Sequence, residues 1–130
     1  MSSAEKLSIH AGTRLWFEPT EWMRVLGPLP HGVTMTADFA AATVAVMFVS
    51  HPDAVRWLVR RYGTVLGIPA MLWLAYPTHG LPTFNRASLN QILAGHRLVV
   101  VAETPLDGTW SAVRVRPAAL VHHPPATPVR

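Results

Sequence analysis

The chain has 130 residues, of which 50% are hydrophobic and only 14% are charged, and it contains no cysteine. This composition excludes disorder of the whole chain, which requires low hydrophobicity and high charge, and the missing cysteines exclude disulfides and thiolate chemistry. The net charge of +4 is unevenly placed: residues 1–55 hold three basic and five acidic residues, whereas residues 56–130 hold eight basic and two acidic ones.

The first third of the chain predicts two strands and a short helix. Residues 13–18 read as a strand that a proline ends. Thr20 is the predicted N-cap of a helix over residues 21–26, which a glycine and a proline then terminate. Residues 33–37 alternate as a second strand, and residues 37–42 form a connector with room for one helical turn.

The middle of the chain predicts two buried strands around a helix. Residues 43–49 are continuously apolar, as in a strand that is covered on both faces. Ser50 is the predicted N-cap of the following helix, whose apolar positions recur at helical spacing over residues 55–66. Gly67 ends that helix, and residues 70–76 form the second buried strand.

The last third predicts a helix and a hairpin. Asn85 caps a helix that Gly95 ends. Two strands follow, over residues 97–104 and 109–116, and the Asp-Gly pair in the loop between them is typical of a hairpin.

The alternation of strands and helices predicts an α/β fold. We expect a three-layer, Rossmann-like arrangement with a mostly parallel sheet of about six strands, a C-terminal antiparallel hairpin and the strand order 2-1-3-4-6-5. Residues 1–117 are predicted to form a single domain. Residues 118–130, which are rich in proline, are predicted to form a flexible tail.

The order of the elements resembles a class I methyltransferase domain with pieces missing. Residues 44–49 resemble the fourth strand of that family, residues 67–75 resemble its fifth, and the closing hairpin resembles its sixth and seventh. The resemblance implies the fold.

A closer resemblance is to a small family of uncharacterised bacterial proteins that consist of such a trimmed Rossmann-like domain. Residues 7–15, 26–33 and 109–114 carry it, and it extends from residue 7 to about residue 117. That family offers no activity to transfer to this chain.

The first strand lacks the glycine-rich turn that methyltransferases place after it. A nucleotide cofactor needs such a turn so that backbone N–H groups can approach it. No glycine lies between Gly12 and Gly27, Pro19 removes a donor, and Trp22 is bulky. We therefore expect no cofactor, and no S-adenosylmethionine site of the usual form. Asp38 takes the place of an acidic ribose ligand, but without the turn we interpret it as a cap or turn residue.

A pocket is expected where the strands end, because ligands of open α/β sheets gather at the carboxyl ends of strands. The histidines and carboxylates there are of the types that serve as general bases or metal ligands, although no metal-binding spacing supports a metal site. The other interpretation is that they are polar loop and cap residues. The candidates are Glu18, Asp38, His51, Tyr76 and His79.

The arginines of the second half and the outer tryptophans define a second candidate surface. They are suited to an interface or to anion binding, including nucleic acid, with Trp57 stacking on a base. The alternative is a solvated helix face and a charged edge strand. The candidates are Arg56, Trp57, Arg60, Arg61, Trp110 and Arg114.

Three functions remain open from the sequence. The preferred one is a non-catalytic, methyltransferase-like module that binds a protein partner or forms a homodimer. The alternatives are an enzyme with a small-molecule pocket at the strand ends and an arginine-dependent nucleic-acid binder. We expect a cytoplasmic protein without a membrane partner, since no signal peptide or membrane-length apolar segment is visible.

Overall fold

A mixed six-stranded sheet forms the centre of the chain in a computed structural model that describes residues 2–121. The strand order is β2-β1-β3-β4-β6-β5. The first four of these strands are parallel, and β6 and β5 are antiparallel to their neighbours. The α/β fold and the predicted strand order are thus confirmed. The strands are β1 (Arg14–Glu18), β2 (Thr34–Met35), β3 (Val44–Phe48), β4 (Met71–Pro77), β5 (Leu98–Pro105) and β6 (Trp110–Pro117).

Three α-helices and several 3-10 turns surround the sheet. The helices are α1 (Ser3–Lys6), α2 (Pro52–Tyr62) and α3 (Arg86–Gly95). The 3-10 turns are Thr20–Leu26, Phe39–Ala41, Gly63–Val65 and Ala118–Leu120. Helices α2 and α3 pack on one face of the sheet, whereas α1 and the 3-10 turn after β1 cover the other face.

Each face of the sheet has its own apolar core, because side chains of a strand alternate between faces. Val46 of β3 packs in the core beneath α1, and Met47 packs in the core beneath α2 and α3. All five residues of β3 are buried. This explains why residues 43–49 are apolar without interruption.

Two predicted helix caps are wrong. The segment that begins at Thr20 is a 3-10 helix without a side-chain cap, a tighter form that is common in short connections. Helix α2 is capped by His51, whose Nδ1 accepts a hydrogen bond from the Asp53 N–H at 3.1 Å, and not by Ser50. The reason is Pro52: a proline favours the first helical position, and the cap is then the residue before it.

Two further differences concern short elements. Helix α1 was not expected, because a helix of four residues leaves no periodic pattern. Strand β2, predicted over residues 33–37, is two residues long, since only Thr34 and Met35 pair with β1.

The segment after β6 begins with an ordered turn. Ala118 donates its N–H to the Arg97 carbonyl at 2.8 Å, and the Leu120 side chain lies against Gly67. The remainder of the predicted tail, residues 122–130, lies outside the described residues. Across residues 2–121, no helix has the length and apolar character needed to cross a membrane.

Candidate functional site

A cleft of about 360 Å³ lies at the carboxyl ends of β1 and β3. Strand β1 pairs with β2 on one side and with β3 on the other, so the chain connections diverge at this point. Open α/β sheets bind their ligands at such a switch point. The cleft is lined by Glu18, Pro19, Trp22, Met47, Phe48, Ser50, Ala54 and Trp57.

One wall of the cleft is a fixed aromatic cluster. The Trp22 and Phe48 rings are stacked with an interplanar angle of 3° and centroids 6.1 Å apart. Trp110 packs edge-on against both, at 5.0 Å from Trp22 and 4.8 Å from Phe48. Contacts of this kind hold the Trp22 ring in one position, so the wall is preformed.

The opposite wall comes from α2. Ala54 and Trp57 are three residues apart and therefore lie on the same side of the helix. Trp57 is 37% exposed, and its ring meets Tyr62 edge-on at 5.9 Å. Tyr62 in turn stacks on Phe39 at 4.6 Å. The exposed indole is thus supported by the half-buried Tyr62 ring, which in turn rests on the buried Phe39.

Glu18 is the acidic side chain of the cleft. As the last residue of β1 it is partly buried, and its carboxylate makes no ion pair or side-chain hydrogen bond within residues 2–121. A second cleft of about 350 Å³, between the ends of β1 and β2, is also lined by Glu18, together with Met35 and Tyr62. The carboxylate therefore lies at the boundary of two clefts.

Two of the other predicted pocket residues cap helices and line neither cleft. The Asp38 carboxylate accepts a hydrogen bond from the Ala40 N–H at 3.1 Å, as the interpretation of Asp38 as a cap predicted. His51 caps α2 and lies 3.7 Å from the Asp53 carboxylate.

Tyr76 belongs to a polar cluster beneath α3 and not to the cleft. It is 4% exposed, and its hydroxyl donates a hydrogen bond to Glu103. The Arg86 guanidinium reaches both oxygens of Glu103 at 3.4 Å. Nearby, the hydroxyls of Thr78 and Ser111 are 2.8 Å apart.

The contacts of this cluster shift the pKa values of Tyr76 and Glu103 in opposite directions. Burial, followed by the hydrogen bond to Glu103, raises the pKa of Tyr76. The hydrogen bond from Tyr76, together with Arg86, lowers the pKa of Glu103. No local pattern of the sequence predicts this cluster, because the register of β5 and β6 brings Glu103 to Tyr76 and the packing of α3 on the sheet brings Arg86. The remaining candidate, His79, is exposed in the loop after β4.

The predicted anion-binding residues do not share one surface. Arg56 pairs with Asp53 at 3.0 Å, and Arg61 lies over the Tyr62 ring at 5.7 Å. Arg60 is exposed on the same helix. Arg114 alternates with the residues that face α2 and α3, so it lies on the other face of the sheet. Its Nη2 donates to the Ala70 carbonyl at 3.3 Å.

Two expectations about this surface need correction. Trp110 is only 7% exposed and packs in the core, because strand alternation turns it inward against Phe48. Arg114 is not on an edge strand, since β6 lies between β4 and β5. The edge strands are β2 and β5, and β5 exposes Val101.

The described part of the chain contains no group of three or more histidine, cysteine, aspartate or glutamate side chains placed to hold a metal ion.

Comparison with solved structures shows the fold. A protein of the NADB-Rossmann superfamily from Streptococcus agalactiae superposes with a TM-score of 0.53 at 9% sequence identity, over 89% of this chain and 68% of that one. A Streptococcus pneumoniae protein provisionally named a tRNA (m1A22) methyltransferase gives a TM-score of 0.43 at 13% identity, over 73% of this chain and 44% of that one. No protein-family model matches the chain, and no curated protein matches its sequence. At these identities the likeness concerns the fold alone.

Proposed function

We propose that this Rossmann-like chain is a non-catalytic binding module that engages a protein partner. The observation that carries the proposal is the cleft at the switch point, whose walls are the preformed Trp22 and Phe48 pair and the exposed Trp57. Exposed aromatic side chains on a rigid support are typical of interaction sites.

The roles of the predicted pocket residues support this proposal. Asp38 and His51 cap helices, and Tyr76 is a member of a hydrogen-bonded cluster beneath α3. Many acid–base mechanisms use an acid and a base that both reach one substrate. Among the cleft residues, Glu18 is the single titratable side chain.

The turn after β1 supports a binding role without the usual methyltransferase cofactor. Residues 13–26 contain no glycine, and Trp22 occupies the turn with a large ring. A cofactor in that place needs close approach to backbone N–H groups. We therefore also propose that the chain has no S-adenosylmethionine site of the usual form.

Thermal denaturation of the full chain tests the non-catalytic part of the proposal. The melting temperature is expected to stay unchanged with S-adenosylmethionine, S-adenosylhomocysteine, nucleotides or divalent metal ions, since a ligand that binds only the folded chain raises it. A rise with S-adenosylmethionine would overturn this part.

A second copy of the chain is the partner we propose for the edge strand. Strand β5 has one neighbour in the sheet, and its Val101 side chain is 41% exposed. An edge strand offers free N–H and C=O groups to a second strand, and in β5 these groups lie on either side of the bulge at Val101. Pairing of two β5 strands joins the two sheets into one.

Light scattering over a range of protein concentrations tests this pairing. We expect a dimer, and we expect Val101→Lys to convert it to a monomer, because a charge on the edge opposes strand pairing. Leu81→Lys is the matched control, since Leu81 is 43% exposed but lies outside the edge strand. A wild-type chain that stays monomeric at the highest concentration contradicts the pairing.

A further inference from the structure

The cleft at the switch point contains one carboxylate and no basic side chain. A cleft with acidic and no basic side chains is unusual for this chain, whose net charge is +4. Glu18 has no ion-pair partner within residues 2–121. A partly buried carboxylate without a partner attracts a cation, because the low-dielectric surroundings strengthen the interaction.

Two other acidic groups near this edge of the sheet are already engaged, since Asp38 caps a 3-10 turn and Asp53 pairs with Arg56. Glu21, on the turn after β1, has no ion pair within residues 2–121 but does not line the cleft. Glu18 is therefore the carboxylate that the cleft itself offers to a ligand. Its position between two clefts makes it accessible from both.

The aromatic walls favour an organic cation over a metal ion. A cation within about 6 Å of an indole ring is attracted by the negative face of the ring. The chain already uses this interaction once, since the Arg24 guanidinium lies 5.2 Å from the centroid of Trp22. The indole of Trp57 carries no cation of the chain within residues 2–121, so its ring remains for a ligand.

We infer that the cleft binds a substituted ammonium group, with Glu18 supplying the counter-charge and Trp57 the aromatic face. This inference rests on the proposed function and specifies the chemistry of its ligand. The cleft volume of about 360 Å³ lies near the lower limit for ligand pockets, which suits a small head group. The attached remainder of the ligand extends into solvent, since the cleft is open.

Choline and its uncharged isostere 3,3-dimethylbutan-1-ol form a matched pair of probes for this inference. The two molecules have the same shape and differ in charge. We expect choline to shift the indole N–H signal of Trp57 in a proton–nitrogen correlation spectrum of the full chain. The signal is assigned from the spectrum of Trp57→Phe. The isostere is expected to bind about ten-fold more weakly, as loss of a cation–π contact and of a counter-charge implies.

Variants at two neighbouring glutamates separate the cleft from general surface charge. Glu18→Gln keeps the shape of the side chain and is expected to weaken choline binding and to reduce the preference for choline to the part that Trp57 supplies. Glu21→Gln is the control, because Glu21 is exposed on the same turn but does not line the cleft. It is expected to leave choline binding unchanged. The dispersion of the indole signals shows whether each variant is folded.

These experiments test the cation inference separately from the proposed function. Equal binding of both probes, or unchanged choline binding in Glu18→Gln, overturns the cation inference while the cleft remains a binding site. Failure of both probes to shift the Trp57 signal up to their solubility limits also overturns the cation inference. The proposed function is then judged separately by thermal denaturation and light scattering.

Discussion

The Tyr76 hydroxyl donates a hydrogen bond to the Glu103 carboxylate across an intervening strand. Tyr76 is on β4 and Glu103 is on β5, and β6 lies between them in the sheet. Arg86 at the start of α3 completes the cluster, with its guanidinium 3.4 Å from Glu103 and 5.9 Å from the centroid of the Tyr76 ring. The cluster therefore ties the third helix and the terminal hairpin to the parallel part of the sheet.

Stability is expected to decline at both acid and alkaline pH, because burial and the hydrogen bond raise the pKa of Tyr76 and the hydrogen bond lowers the pKa of Glu103. The folded chain holds the pKa of Glu103 below its ordinary value of 4.5, so the stabilisation is present above that pH and is lost as the pH falls through the lowered pKa. The folded chain holds the pKa of Tyr76 above 10.0, so its contribution is present below that pH and is lost as the pH rises through the raised pKa. Urea denaturation at a series of pH values measures the loss of stability at both acid and alkaline pH.

Removal of the Tyr76 hydroxyl is expected to flatten that profile. Tyr76→Phe should lower the free energy of unfolding by about 1 kcal/mol at neutral pH, a modest loss because the Glu103 side chain is 45% exposed and screened by water. Tyr62→Phe is the control, since the Tyr62 hydroxyl makes no hydrogen bond within residues 2–121. If Tyr76→Phe retains the full wild-type pH dependence, the cluster is not its source.

Two cap substitutions are expected to differ in their effect on stability. The Asn85 side chain accepts the Ser88 N–H at 2.9 Å, and Ser88 Oγ accepts the Asn85 N–H at 2.8 Å. Asn85→Ala should therefore cost about 1 kcal/mol. Ser50→Ala should cost much less, because His51 is the cap of α2. Urea denaturation measures both, and an equal cost would restore Ser50 as the cap.

The two tryptophans of the predicted interface are expected to behave differently. Trp110→Ala removes a buried ring that contacts Trp22 and Phe48, and should lower the free energy of unfolding by about 3–5 kcal/mol. Trp57→Ala should cost less than about 1 kcal/mol, since Trp57 is 37% exposed. Thermal denaturation of the two variants distinguishes the core residue from the surface residue. Similar losses would contradict this assignment.

The close approach of Leu120 to Gly67 predicts a local effect of a small substitution. A Cβ at Gly67 would collide with the Leu120 side chain. Gly67→Ala is expected to displace the turn Ala118–Leu120 and to increase hydrogen exchange at the Ala118 N–H. The stability cost should stay below about 1 kcal/mol, because Leu120 is 50% exposed and can move.

A second substitution serves as the control for that collision. Gly67→Ala combined with Leu120→Ala should restore slow exchange at Ala118, since the shortened side chain makes room for the new methyl group. Gly63→Ala introduces the same methyl group into open space and is expected to leave exchange unchanged. Fast exchange in the double variant would show that the collision is not the cause.

The amino-acid sequence by itself determined the six strands, the two long helices α2 and α3, and the order of the strands in the sheet. Apolar runs such as residues 43–49 predict strands that are covered on both faces, and the strand–helix alternation then restricts the topology to right-handed crossovers. The caps were less secure: Asn85 was predicted correctly because both partners of its capping box lie within four residues. Ser50 was predicted incorrectly as the cap of α2. Pro52 takes the first helical position, so the cap is the residue before it, His51.

Only the tertiary structure decided which side chains meet. Tyr76 finds Glu103 through the register of three strands, Trp110 turns inward by strand alternation, and Glu18 comes to share a cleft with Trp57 because the end of β1 lies beside α2. Tyr76 and Glu103 are 27 residues apart in the chain, Glu18 and Trp57 are 39 apart, and Trp110 and Phe48 are 62 apart, so no local pattern encodes these contacts. The periodicity of a segment is set by its own residues, whereas a contact between segments is set by register and packing, which only the folded chain supplies.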